Sequence, residues 1–148
     1  MAQHTPDRRV VVGVDGSPSS NAALRWAARQ AGLTGAFLDA VIAWEYPVTY
    51  GWSGTALDGD FAAWAGKVLA DAVVAELGRQ PEVRVRERVL GGNAAEVLLD
   101  AAHGADLLVL GNRGHGGFAE ALLGSVGQHC VQHADCPVVI VRGEHPDA

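Results

Sequence analysis

Short apolar runs alternate along this chain with stretches in which apolar side chains recur at helical spacing. The first run, Arg9-Val10-Val11-Val12-Gly13-Val14-Asp15, is β-branched throughout and predicts a strand over 9–15, covered on both faces as in a parallel sheet. Gly16 stops it, and Ser17 before Pro18 supplies an N-cap with proline in the first helical position. The helix runs to about residue 30 with Ala22, Ala23, Trp26 and Ala27 inward, and Gly32 and Gly35 mark its end. A second strand over about 36–45 carries Phe37, Leu38, Val41, Ile42 and Trp44 and closes at Pro47. A loop follows with Tyr50 and Trp52 among turn residues. Phe61, Ala65, Val68, Leu69, Ala72, Val73 and Leu77 then define a helix over about 57–79, broken by Pro81.

Residues 83–90 alternate apolar and charged side chains, the pattern of an edge strand with one wet face, its charges opposing edge-to-edge pairing. Asn93 with Glu96 three residues on predicts a capping box for a helix through about 103, closed by Gly104. Leu107, Leu108, Val109 and Leu110 fall in a fourth strand over 105–110. A glycine cluster follows, then a helix over about 120–133 and a last strand within 136–142. The order β-α-β-α-β-α-β-α-β predicts an α/β fold, a three-layer sandwich with right-handed crossovers. In such open sheets ligands bind beyond the carboxyl ends of the strands, where strand order reverses. Those ends are Asp15, Trp44 and Gly111.

Size and charge narrow the functional classes. A chain of 148 residues with 49% hydrophobic side chains predicts one domain, with its core over about 8–143. A net charge of −6 argues against a broad nucleic-acid footprint. The apolar runs are strand-length, too short for a membrane span, and the polar start offers no secretory pattern. Cys130 and Cys136 are then expected to be reduced thiols of a cytoplasmic protein. His129 and His133 stand at i, i+4 near both cysteines, which invites a zinc site; without a CxxC pair, surface histidines beside a core cysteine are the expectation, with no metal ligands assigned. Trp26 and Trp64 fall on apolar helical faces and are expected in the core.

The candidate chemistry lies in Gly111-Asn112-Arg113-Gly114-His115-Gly116-Gly117 after the fourth strand. Four glycines in seven residues exceed the needs of a turn. Without Cβ atoms the amides can approach an anion and form a concave donor array. Gly124-Ser125-Val126 lies further along and offers a hydroxyl. No Gly-Lys-Ser/Thr follows, so this is not a Walker loop. A dinucleotide fingerprint would sit after the first strand, where Val14-Asp15-Gly16-Ser17 stands instead. Asp15 either interacts with the helix start or points to the ligand crevice; Arg113 and His115 either face phosphate or are solvated.

Gly111-x2-Gly114-x9-Gly124-Ser125 is similar to the G-2x-G-9x-G-(S/T) motif of the universal stress protein family, in its nucleotide-binding branch. The opening 12–17 and the closing 136–142 also resemble that family, so the likeness covers about residues 8–143. It implies an adenine nucleotide alpha hydrolase-like sandwich, a five-stranded parallel sheet in the order 3-2-1-4-5, and ATP at the switch between strands one and four. By position, Gly13, Val14 and Asp15 would line the adenosine end, and backbone near Ala43 and Trp44 would meet adenine, Trp44 being bulkier than some residues found there. The segment from Gly111 to Gly117 would wrap ribose and phosphates, and Ser125 and Val126 would hold the phosphate tail. Mg²⁺ is expected to bridge the phosphates, held by phosphate and water.

The last strand, Val138, Val139, Ile140 and Val141, is apolar enough to need cover on both faces, and the resemblance puts it at a sheet edge. A homodimer through that strand is expected. The functional expectation is an ATP-binding regulatory protein of the stress response, acting through ligand-dependent conformation or association. Efficient phosphoryl transfer would need metal-holding carboxylates and a positioned base. Only Glu120 and Asp15 are near, so slow ATP hydrolysis at most is expected, with no catalytic residue assigned. A cyclic AMP or other adenine-nucleotide sensor is the alternative use of the same crevice.

Overall fold

The computed structural model describes residues 8–45, 58–113 and 123–143. Its elements are β1 (Arg9–Gly13), α1 (Pro18–Thr34), β2 (Phe37–Trp44), α2 (Asp58–Leu77), β3 (Val85–Gly91), α3 (Ala94–Ala102), β4 (Leu107–Gly111), α4 (Ser125–His133) and β5 (Val138–Val141). The five strands are parallel in the order β3-β2-β1-β4-β5, as the family resemblance implied. Val10, Val12, Leu38, Ala40, Ile42 and Val109 face α1 and α2, packing on Leu24, Ala27 and Leu69. Val11, Val41, Leu108 and Leu110 face α3 and α4, packing on Leu98, Ala101 and Cys130. Strands buried on both faces explain why their sequences are continuously apolar.

Element ends follow local chemistry. Ser17 Oγ accepts from the Ser20 amide at 3.3 Å, with Pro18 opening α1. The helix passes through Gly32 and ends where Gly35 turns left-handed at φ 73°, a conformation that costs glycine little. Similarly α2 ends before Gly78, at φ 84°, rather than at Pro81. Asn93 Oδ1 caps α3 through the Glu96 amide at 3.2 Å. Trp26 packs half-buried against the core, but Trp64 is 61% exposed, contrary to expectation. At Trp64 the helical apolar stripe is wider than the face that α2 presents to the sheet.

One charged residue breaks the apolar pattern of β2. Asp39 is fully buried, and β3 edges the sheet beside it with Arg86 in register. Arg86 donates to both carboxylate oxygens through Nε (3.2 Å) and Nη2 (2.7 Å); Arg88 does the same at 3.0 and 2.8 Å. Arg9 Nε lies 3.9 Å away, while its Nη2 donates to the carbonyls of Ala101 and His103 at the end of α3. Burial pushes the Asp39 carboxyl up, but these hydrogen bonds and the two positive charges outweigh it and hold it below its ordinary value. The charges of β3 therefore serve a buried ion cluster as well as an edge. Cys130 is buried and its thiol is pushed up to about 11, chiefly by that burial, which suits a packing role over reactivity.

Candidate functional site

At the carboxyl ends of β1, β2 and β4 a cleft of about 230 Å³ opens between the sheet and the starts of α3 and α4. It lies where the chain leaves β1 for α1 on one sheet face and leaves β4 for α4 on the other, the reversal point that opens a crevice in a doubly wound sheet. Its lining combines apolar side chains, Val41, Ala43, Leu98, Leu110 and Val126, with polar positions, Asp15, Ser20, Asn112, Arg113, Gly124 and Ser125. This combination suits a ligand with a flat apolar part and an anionic tail.

Part of the polar lining is set by the first turn of α1. Asp15 Oδ1 accepts from the Ser17 amide at 2.9 Å, and the Asp15 amide donates to Ser20 Oγ at 3.1 Å. Asp15 thus bonds the turn that starts α1, and it also lines the cleft. A Cβ on Gly111 would lie 2.6 Å from the Ser19 carbonyl carbon and 2.7 Å from the Ser20 nitrogen, so only glycine lets β4 end against α1. Beyond it, the Asn112 carbonyl accepts from the Gly124 amide at 2.8 Å, the Asn112 amide donates to Val141 at 3.0 Å, and its Oδ1 accepts from the Gly143 amide at 3.3 Å. Asn112 thus ties both feet of the glycine-rich segment and the end of β5 together. The sequence puts Asn112 in the loop, and only the fold brings it to this junction.

The fourth helix starts at Ser125, not near residue 120. Gly124, Ser125 and Val126 consequently stand at its N-terminus, where the first amides have no intrahelical acceptor. Their N-cap, Gly124, makes no side-chain hydrogen bond to them, and Gly124 through Gly127 line the cleft. A helix start with a glycine N-cap facing a cleft favours an anion.

Of the expected site residues, the structure brings Gly13, Val14, Asp15, Ala43, Gly111, Asn112, Arg113, Gly124, Ser125 and Val126 together around the cleft. Trp44 does not line it. Its side chain lies on the other sheet face, with the core of α1 and α2, because strand residues alternate. There its ring covers Gly91, where a Cβ would come within 2.9 Å of Cζ2. Its carbonyl accepts from the Gly92 amide at 2.8 Å. Val41, Leu98 and Leu110 read as core from sequence, and Ser20 reads as one more serine in a helix start, so none of the four signals a ligand. Gly114, His115, Gly116, Gly117, Glu120, Tyr50 and Trp52 lie outside the described residues. His129 and His133 have ring centroids 4.5 Å apart, and no group of three metal-ligating side chains occurs among the described residues.

The universal stress protein family model matches residues 7–142. The chain belongs to the universal stress protein family. A universal stress protein of Mycolicibacterium smegmatis is 36% identical over 161 residues, covering 97% of this chain and 51% of the relative. The chain thus spans about half the length of the curated relatives it matches. Among solved structures, UspA from Lactobacillus plantarum superposes with a TM-score of 0.71 at 24% identity, over 94% of this chain and all of that one, a likeness of fold. A universal stress protein in complex with cAMP superposes with a TM-score of 0.59 at 29% identity, over 93% and 98% of the two chains. No helix among the described residues is long and apolar enough to cross a membrane.

Proposed function

We propose that this universal stress protein binds ATP in the cleft between β1 and β4 and acts as a cytoplasmic regulator through ligand-dependent conformation or association. The observation that carries the reading is that apolar side chains and a helix start with a glycine N-cap line one cleft. Adenine would lie along Val41, Ala43 and Leu98, and the phosphates would meet the amides of Gly124 to Gly127 with the Ser125 hydroxyl. The cyclic AMP complex of a 29%-identical relative supports an adenine nucleotide in this fold. The residues present fit a nucleotide better than a protein-held metal. Asp15 is the one carboxylate in the described lining, so Mg²⁺ would sit mainly on phosphate oxygens and water. When bound, Mg²⁺ would neutralise phosphate charge, and this chain's contribution is binding and orientation.

Titration calorimetry with ATP, AMP and cyclic AMP in Mg²⁺ tests the reading, and ATP is expected to bind with the lowest Kd. Tighter cyclic AMP binding would favour the sensor alternative, and no heat with any of the three would overturn nucleotide binding. Strand β5, an edge strand of half-buried valines and isoleucine, is proposed to pair with a second copy. A monomer mass at every concentration in sedimentation would contradict that.

A further inference from the structure

We infer that Ser19 is a positioning residue that sets the phosphate-binding wall of the cleft against the adenosine-binding wall; this rests on the nucleotide reading above. Ser19 is 5% exposed and is not part of the cleft lining. Its hydroxyl nevertheless bonds the backbone of Arg113 in both directions, across 94 residues of sequence. Oγ donates to the Arg113 carbonyl at 2.6 Å and accepts from the Arg113 amide at 3.2 Å. Ser17 Oγ donates to the same carbonyl at 3.2 Å.

The neighbouring hydroxyl does the equivalent work where the chain leaves β1: Ser20 Oγ accepts from the Asp15 amide. Consecutive serines of one helical turn therefore hold both sides of the cleft, Ser20 the side leaving β1 and Ser19 the side leaving β4. The packing leaves this joint little play. Gly111 needs its missing Cβ to reach Ser19, and a Cβ on Gly143 would stand 3.1 Å from Ser19 Cα and Cβ. A serine fits here because it combines a donor and an acceptor on one small side chain. A helix cap alone would need neither Ser19 nor its partner, since Ser17 already caps α1. The consequence is directional. Asn112, the residue before Arg113, accepts from the Gly124 amide at the start of α4, so the Ser19 bonds fix the end of β4 that meets that helix start.

The test is Ser19→Ala, titrated with ATP and with adenosine beside the wild type. The expected result is a roughly tenfold loss of ATP affinity, with adenosine affinity held within twofold, because only the phosphate wall is released. Unchanged ATP affinity in a folded variant would overturn the positioning role while leaving nucleotide binding intact. An equal loss for both ligands would overturn it as well, marking Ser19 as merely structural. A wild type that binds neither ligand would instead overturn the nucleotide reading on which the inference rests. Should the variant not fold, amide exchange of Arg113 in the wild type decides: slow exchange without ligand is expected, and exchange at the rate of an open peptide overturns the anchor.

Discussion

Ser125→Asp is expected to lose ATP affinity by roughly a thousandfold while melting no earlier than the wild type. The two effects have one cause. Ser125 is the first residue of α4, whose N-cap glycine makes no side-chain cap bond. A carboxylate there interacts with the free amides and the positive end of the helix dipole, worth about 0.3–1 kcal/mol to the fold. It also occupies the place proposed for the phosphate tail. At a separation of about 4 Å and an effective dielectric near 20, each pair of like charges repels by about 4 kcal/mol, close to three decades in Kd. Calorimetry and thermal melting on the same preparation check both signs. A variant that keeps ATP affinity would place the phosphates elsewhere, and one that melts much earlier would show that Ser125 is needed for the fold.

Asp39→Ala is expected to destabilise the protein by about 3–5 kcal/mol, because it leaves Arg86 and Arg88 facing each other without their shared carboxylate. For a domain of this size that is a fall in Tm of about 6–20 °C. Replacing the cluster together, with Asp39→Leu, Arg86→Met and Arg88→Met, should recover most of the loss, since an apolar set of similar volume requires no desolvated charge. The same cluster governs acid stability. Asp39 is held below its ordinary value of 3.8, so the unfolded chain binds protons more readily than the folded one. Its contribution is complete above that value and drains away as pH falls through the lower folded value. Wild type should therefore lose stability more steeply than Asp39→Ala below about pH 4 in denaturant titrations. Parallel slopes would mean the carboxylate is not held in this way.

The contrast between these residues shows what a linear sequence conveys. Strand and helix order was legible because burial on both sheet faces forces continuous apolar runs such as Val10 to Val12 and Leu108 to Leu110. The cleft's position was legible because glycines and a serine stand at strand ends, where the fold concentrates its exposed backbone. Asp39 was not read as a cluster centre. Its signal was a single charge within Phe37-Leu38-Asp39-Ala40-Val41, and its partners lie on a strand more than forty residues away. Only the pairing of β2 with β3 brings them together. The start of α4 was misplaced for a related reason. Residues 120–123 suit a helix by composition, whereas Gly124 takes an extended conformation as N-cap and bonds to Asn112. Ser19 was invisible because its partner is backbone, which no side-chain motif records. Trp64 was misassigned because helical periodicity marks an apolar stripe and does not say how wide a neighbour covers it.

What matters most is where a nucleotide touches this chain. Backbone amide shifts recorded by NMR while ATP and Mg²⁺ are titrated into the isotope-labelled protein address that directly. The largest changes are expected at Val14, Asp15, Ala43, Arg113 and Gly124 to Gly127, which surround one cleft from four separate stretches of chain. Amides that stay still at millimolar ATP would contradict the account. So would changes confined to the groove between the ends of α1 and α2, around Arg29, Leu33 and Glu76.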